Sequence, residues 1–189
     1  MLVSAMGVLV AYKALSRWGV ELRWKRKEAL FNFVDSFLDT PGAQNAMMML
    51  HTKSREVPLW DKGTPEDRWV RVTWDDVSAA FTPNRERELP VEPFDTAIRD
   101  CFGDFFGRLT RLQLMREEDI LQQKHIDFIM KHWKDVFSRD FDCPHMRNIR
   151  VFLHTHQYDR IVKLFRSVGF DLEKQIETDM TQLFSEVGE

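Results

Sequence analysis

Cysteine is scarce in this sequence, with only two among 189 residues. Cys101 and Cys143 are far apart and show no metal-ligand spacing, so we predict neither a disulfide scaffold nor a cysteine-based zinc site. Such sparing use of cysteine is typical of a reducing compartment. We therefore expect a cytoplasmic protein.

An excess of charge of one sign is also missing. The formal net charge is −3 and the isoelectric point is about 6.1, so the chain has no general attraction for polyanions, and any nucleic-acid contact would need a local patch. Tyrosine is rare, with 2 residues, whereas there are 15 phenylalanines and 6 tryptophans. So many apolar rings predict either a well-filled core or an additional buried surface such as an oligomer interface.

The common catalytic and cofactor motifs are absent from the sequence. There is no glycine-rich phosphate loop, no H-E-x-x-H, no G-x-S-x-G and no paired C-x-x-C. His125 and His132 share a helix face but lie two turns apart, roughly 10 Å along the axis, which is too far for one metal ion. We predict no cofactor and no metal site, because no zinc spacing supports the remaining candidates: Cys143, His145, His154 and His156.

The first apolar segment is too short to span a membrane unaided. Residues 1–12 carry no charge, whereas a spanning helix needs roughly 20 apolar residues. Basic residues follow this segment, as on the cytoplasmic side of a membrane, whereas a signal peptide carries them in front. Two interpretations stay open: packing in the core or a subunit interface, and contact with a membrane. The residues concerned are Leu2, Val3, Met6, Val8, Leu9, Val10, Lys13, Arg17 and Trp18.

The first half of the chain predicts a long helix followed by a small hairpin. An apolar stripe at helical spacing supports a helix from about residue 3 to 39, and Thr40 caps a short second helix with Pro41 in its first turn. Near residues 55–73 two β-prone runs flank a breaker-rich segment, which predicts a hairpin. Thr73 then caps a brief helix that runs through Phe81.

The second half is predicted to be helical. After the loop TPNRERELPVEP, a stripe of apolar residues marks one long helix. The next helix, about 117–137, is apolar or ambivalent around more than half of its circumference, so we expect it at the centre of the bundle. Two more helices follow, with Gly169 as a stop before FDLEKQIETDMTQLFSEV. The predicted fold class is mainly α: a long N-terminal helix in residues 1–40, then residues 41–189 as a helical bundle with a small β-hairpin insertion.

Three segments, TPGAQNAMMML, AIRDCFGDFFGRLTRL and REEDI…HW, resemble a family of small bacterial helical proteins of unknown function. The resemblance covers most of residues 20–137, and the motifs that carry it are mainly packing residues. Members of that family typically start with a membrane-spanning segment followed by a basic helix, and this chain has only a short version of that segment. The resemblance implies membrane association and supplies no activity.

The segment MRNIRVFLHTHQYDRI, residues 146–161, holds the best candidates for chemistry. At 100° per residue, Arg147, Arg150 and His154 fall within about 60° of one another on a helix, which predicts a shared polar face. An arginine fork can stabilise the charge that develops on a phosphate, and a histidine can move a proton near neutral pH. Such residues on a solvated face are also typical of many helices without any activity.

The run from Arg147 to His154, with Asn148 between them, is similar to the arginine–polar–histidine pattern of the HEPN superfamily of small helical ribonucleases. Arg150 to His156 fits on spacing alone, but His156 falls on the apolar face. Arg139 to His145 also fits, although Pro144 interrupts it. The resemblance implies RNA cleavage without a metal ion, by a site built from two facing copies, in a bacterial defence role.

We therefore expect a non-catalytic helical protein that forms a homo-oligomer, or docks a partner through its N-terminal helix, at the cytoplasmic face of a membrane. The alternative is a HEPN-like, metal-independent endoribonuclease that acts on RNA. Its catalytic residues would be Arg147, Asn148, Arg150 and His154.

Overall fold

A computed structural model describes residues 2–37, 39–59, 69–82, 92–138 and 143–186 and, within these ranges, the side chains of residues 17–183 and 185. The described residues form eight helices and one two-stranded antiparallel hairpin, so the predicted mainly-α class is confirmed. In chain order the elements are α1 (Leu2–Phe37), α2 (Pro41–His51), β1 (Ser54–Pro58), β2 (Trp69–Thr73), α3 (Trp74–Ala80), α4 (Pro93–Glu117), α5 (Gln123–Phe137), α6 (Pro144–Thr155), α7 (Asp159–Ser167) and α8 (Leu172–Glu186).

Helix α1 is long and is anchored at its C-terminal end. Its 36 residues span roughly 54 Å at the helical rise. Phe33 and Phe37 are buried, and the ring of Phe37 packs edge-on against Phe105 and at a tilt against Trp133. Every residue from 17 to 25 is exposed. The helix therefore joins the core through its last turns, and residues 17–25 extend beyond that core.

Helix α2 packs closely on α4. Gly42 lies so near the Asp104 carboxylate that a Cβ at this position would collide with it, so only glycine fits without a shift. Thr40 occupies the N-cap position, but its hydroxyl makes no capping hydrogen bond and is buried without a partner. The predicted capping role of Thr40 is therefore wrong, and Pro41 in the first turn remains the local start signal.

The hairpin and the short helix after it are confirmed. Strands β1 and β2 pair in antiparallel register, with Ser54 opposite Thr73 and Val57 opposite Val70. Thr73 then begins α3 with a complete capping box: its hydroxyl accepts from the Asp76 backbone N–H, and the Asp76 carboxylate accepts from the Thr73 backbone N–H. This reciprocal pair satisfies two donors that a helix start leaves without partners.

The centre of the bundle is α4, so the prediction that the helix at 117–137 lies there is wrong. Helix α4 packs against α2, α3 and α7. A turn over 118–122, in which Asp119 has a positive φ of 54°, separates α4 from α5. Phe128 of α5 is 78% exposed. The apolar content of α5 misled the prediction because part of it points to solvent.

Three helices follow α5, where two were predicted. The additional break lies at 156–158, where Gln157 has a positive φ of 57°. Gly169 has a φ of 74° and stops α7 as predicted, because a left-handed conformation suits glycine. Helix α6 packs against both α3 and α8. That placement decides the environment of the predicted catalytic residues.

Candidate functional site

The four predicted catalytic residues all lie on α6, which has neighbours on two sides. Pro144 occupies the first turn, and α3 and α8 pack against the helix. A helix with two neighbours buries more of its surface than the single apolar stripe from which we predicted a solvated face.

Arg150 is buried in an ion pair. Only 1% of its side chain is exposed, and Asp179 of α8 is fully buried beside it. Arg150 Nε donates to Asp179 Oδ2 at 2.6 Å and Nη2 donates to Oδ1 at 3.1 Å, while Nη1 donates to the Phe137 carbonyl oxygen at 3.2 Å. The prediction that Arg150 lies on a solvated polar face is wrong, because α8 covers it and supplies a carboxylate that occupies its fork.

Asn148 is also buried, and it ties α6 to α3. Its amide nitrogen Nδ2 donates to the backbone carbonyl oxygen of Ser78 at 2.9 Å and is 3.0 Å from the Ser78 hydroxyl oxygen. It lies 3.3 Å from the Thr82 hydroxyl as well. A buried amide needs such partners, because an unsatisfied polar group in the interior is costly. These contacts make Asn148 a residue that joins two helices through its amide nitrogen, although its buried Oδ1 has no hydrogen-bond partner among the described residues.

The four residues do not reach a common accessible surface. Arg150 and Asn148 are buried, Arg147 is half-buried, and only His154 is exposed. In this arrangement a phosphate at His154 could not be held by the Arg150 fork, which is already bound to Asp179. The arrangement that the sequence pattern implied for RNA cleavage is thus missing its second arginine.

His145 is the residue of α6 whose pKa is clearly shifted, and the sequence pattern predicted no role for it beyond that of a zinc candidate without supporting spacing. Its ring stacks on Trp74 with centroids 4.5 Å apart. Burial, assisted by the positive charge of Arg150, lowers the pKa of His145 to about 4, and the negative charge of Asp75 offsets this only in part. His145 is therefore neutral at physiological pH, and its position inside the fold marks it as a structural residue.

The predicted zinc candidates are not gathered. His145 is buried against Trp74, while His156 is exposed and stacks on Phe152 with centroids 3.8 Å apart. Across the part of the chain that the structure describes, no group of three or more histidine, cysteine, aspartate or glutamate residues could hold a metal ion.

The structure describes the side chains of only some of the predicted N-terminal membrane or interface residues. The side chains from Leu2 to Lys13 lie outside the described residues: Leu2, Val3, Met6, Val8, Leu9, Val10 and Lys13. Arg17 is exposed and Trp18 is 68% exposed, so neither packs on the body of its own chain. Among the described residues, no helix is both long and apolar enough to cross a membrane.

Helix α1 carries a second apolar face that sequence reasoning missed. Val20, Trp24, Phe31 and Val34 are exposed, with Trp24 at 67% and Phe31 at 64%. At 100° per residue Val20, Trp24 and Phe31 point about 140–180° away from Phe33, and Val34 lies at the edge of this face, about 100° from Phe33. Their spacing of four, seven and three residues was readable in the sequence. It was overlooked because the stripe through Phe33 already accounted for a helix.

Comparisons with protein-family models, with curated proteins and with solved structures find no match to this chain. The two resemblances drawn from the sequence therefore stay predictions.

Proposed function

We propose that the protein is a non-catalytic helical domain that associates with a second copy of itself through the outward face of α1. The observation that carries this proposal is the exposed apolar stripe on the side of α1 that faces away from the core. Contiguous exposed apolar surface of this kind marks an interaction site, because leaving it in water is unfavourable.

The stripe has the spacing of a coiled-coil seam. Val20, Trp24, Lys27, Phe31 and Val34, which we call the outer seam, are separated by four, three, four and three residues. This alternation is the pattern of the a and d positions that meet in a two-stranded coiled coil. A single lysine at a core position costs some stability and helps to fix the register. Burying each large apolar side chain of the seam would contribute about 1.5–3 kcal/mol.

The charges beside the outer seam favour a parallel pair. One edge carries Glu21, Glu28 and Asp35, and the opposite edge carries Arg23. A parallel pair brings opposite edges together, so Arg23 would meet Glu28 of the partner subunit. An antiparallel pair would set the two acidic edges against each other. Like charges in such positions are unfavourable.

The same charges argue against a bilayer as the surface that covers the seam. A helix that lies on an anionic membrane carries its basic residues on one polar face, around an apolar face that enters the lipid. In α1 the acidic edge borders the outer seam directly. The described basic residues of the same segment are spread around the helix circumference: Arg17, Arg23, Lys25, Arg26 and Lys27.

The first experiment measures the molecular mass by sedimentation equilibrium. We expect wild-type protein to form a dimer, and Trp24→Glu with Phe31→Glu to yield a monomer, because two charges would be buried in the seam. Phe128→Glu is the matched control, since this phenylalanine is also exposed but belongs to α5 and not to the outer seam of α1. The control should stay dimeric.

A cross-linking experiment tests the orientation. Lys27→Cys, in a Cys143→Ser background, should form a disulfide-linked dimer under mild oxidation, because a parallel pair places the two copies of position 27 face to face. Lys25→Cys, off the seam, should not. A wild-type monomer at high concentration overturns the proposal. Sedimentation of that monomer with anionic vesicles, lost in the Trp24→Glu and Phe31→Glu variant, would replace self-association with membrane docking.

A further inference from the structure

Two histidines that are 81 positions apart in the sequence meet at the surface. His51 is the last residue of α2 and His132 lies on α5, and their Nε2 atoms are 2.6 Å apart. The two rings are nearly coplanar, with an interplanar angle of 2° and centroids 4.8 Å apart. Coplanar rings at this centroid distance, with Nε2 atoms so close, meet corner to corner, not face to face. The two Nε2 atoms therefore face each other head-on, and the exocyclic directions at the two nitrogens lie along one line.

The hydrogen-bond partner of His51 Nδ1 shows which of the two ring nitrogens carries the hydrogen. His51 Nδ1 lies 2.6 Å from the Met47 carbonyl oxygen. A carbonyl oxygen only accepts, so Nδ1 carries the hydrogen and the neutral ring has its lone pair at Nε2, which points at His132. A backbone carbonyl that holds Nδ1–H in this way is the usual partner of a histidine that binds metal through Nε2.

We propose that His51 and His132 form a two-nitrogen site for a late first-row transition-metal ion such as Zn²⁺ or Cu²⁺. The ion would replace the single hydrogen that the two Nε2 atoms now share. With Zn–N bonds of 2.0–2.1 Å, tetrahedral geometry puts the two nitrogens about 3.3 Å apart. The atoms would have to separate by less than about 1 Å from their present distance, and the two exposed rings would have to tilt so that their nitrogens meet the ion at a tetrahedral angle.

The surroundings of the pair suit a cation. His51 lies at the C-terminal end of α2, where the helix dipole is negative and favours positive charge. Both rings are held against the indole of Trp133, with centroids 6.0 Å from His51 and 5.1 Å from His132 and near-perpendicular planes. Since the pair is at the surface, water would complete the coordination shell, as expected for a site with two protein ligands.

The ligand chemistry predicts the order of affinity. Imidazole nitrogen binds copper, nickel and zinc, and the general affinity series places Cu²⁺ above Ni²⁺ and Zn²⁺. Mg²⁺ and Ca²⁺ prefer oxygen ligands and should not bind here. The inference does not depend on self-association through α1, because the two histidines lie in one chain.

The test is calorimetric titration of the full chain with Cu²⁺ and Zn²⁺ near pH 7.5. We expect one ion per chain, and an affinity at least tenfold lower in both His51→Gln and His132→Gln, since each removes one of two ligands. His125→Gln and His154→Gln are matched controls that should leave the affinity unchanged. Mg²⁺ should show no binding.

A second measurement needs no variant. Substoichiometric Cu²⁺ should broaden the imidazole NMR signals of His51 and His132 before those of the other four histidines, because broadening falls steeply with distance from the ion. Unchanged affinity in His51→Gln and His132→Gln would overturn the proposal. So would first broadening at His154 or His156, or binding that His154→Gln abolishes.

Discussion

In helix α6 polar residues are buried, whereas on helix α1 large apolar residues are exposed. Helix α6 carries charged and polar residues that looked like a reactive surface, yet Arg150 and Asn148 are buried and bonded to neighbouring helices. Helix α1 carries large apolar residues that looked like packing residues, yet Trp24 and Phe31 are exposed. The difference lies in the neighbours: α6 has a helix on each of two sides, whereas α1 meets the body only near its last turns. The residues on a helix face do not by themselves show whether the face is buried, because that depends on whether another element packs against it.

The largest effect is expected from breaking the buried ion pair of α6. Asp179→Ala leaves the Arg150 guanidinium charged, buried and without its partner, so the free energy of unfolding should fall by about 3–5 kcal/mol in urea denaturation. The control is Glu173→Ala, which removes an exposed ion pair with Arg166 and should cost less than about 1 kcal/mol. Replacing both partners, Arg150→Met with Asp179→Leu, should recover most of the loss. Equal losses in Asp179→Ala and Glu173→Ala would contradict the role assigned to the pair.

Two phenylalanines of α1 allow a buried and an exposed residue of the same type to be compared within one helix. Phe33 is 3% exposed and Phe31 is 64% exposed. Phe33→Ala should lower the free energy of unfolding by about 3 kcal/mol or more, because it leaves a cavity in the core. Phe31→Ala should change the stability of the monomer by about 0.5 kcal/mol or less and weaken self-association instead. Denaturation at low protein concentration measures the stability of the monomer, and sedimentation measures self-association. A large stability loss in Phe31→Ala would show that the seam already packs within the monomer.

His145, which is buried in the first turn of α6, predicts a pH dependence of the free energy of unfolding. Its folded pKa is about 4, below its unfolded value near 6.5, so the folded state resists protonation. Above pH 6.5 the ring is neutral in both states. As the pH falls from 6.5 towards 4, only the unfolded chain takes up the proton, and the free energy of unfolding should drop by about 1–3 kcal/mol. The difference between wild type and His145→Phe across this window isolates the contribution, and parallel pH curves would refute it.

The smallest effect is expected at the exposed end of α6. His154→Ala should change the free energy of unfolding by no more than about 0.5 kcal/mol, because the residue is exposed. Thermal denaturation of this variant beside Asn148→Ala provides the contrast, since Asn148 loses its bonds to Ser78 and should cost about 1–3 kcal/mol. Comparable losses in both variants would mean that His154 has a packing role.

Much of the fold could be predicted from short segments. The capping box of Thr73 with Asp76, the stop at Gly169 and the hairpin near residues 55–73 depend on residues close together in the chain, and all three are present. Two local predictions failed, the cap at Thr40 and the continuous helix across 156–158, whereas the prediction of the bundle centre failed because it depends on distant parts of the chain. The wrong helix was assigned to the centre of the bundle because the sequence alone does not distinguish the exposed Phe128 from a buried phenylalanine.

The candidate site was less predictable than the fold. The helical spacing of Arg147, Arg150 and His154 was real, but spacing along one helix does not reveal the helix that packs against it. Asp179 reaches Arg150 from 29 residues away, and His51 reaches His132 from 81 residues away. No local sequence pattern predicts either of these two pairs. The outer seam of α1, by contrast, was visible as a heptad pattern and could have been found.

The sequence by itself determined where the helices and strands form, because caps, turn residues and apolar periodicity act over a few residues. It also determined that α1 would be long and rich in large apolar side chains. Only the tertiary structure decided which faces are covered. Arg150 became a structural residue because α8 packs on α6, and Trp24 remained exposed because no described element of the same chain covers that side of α1. Burial depends on which elements meet, and that is set by the packing of the whole chain.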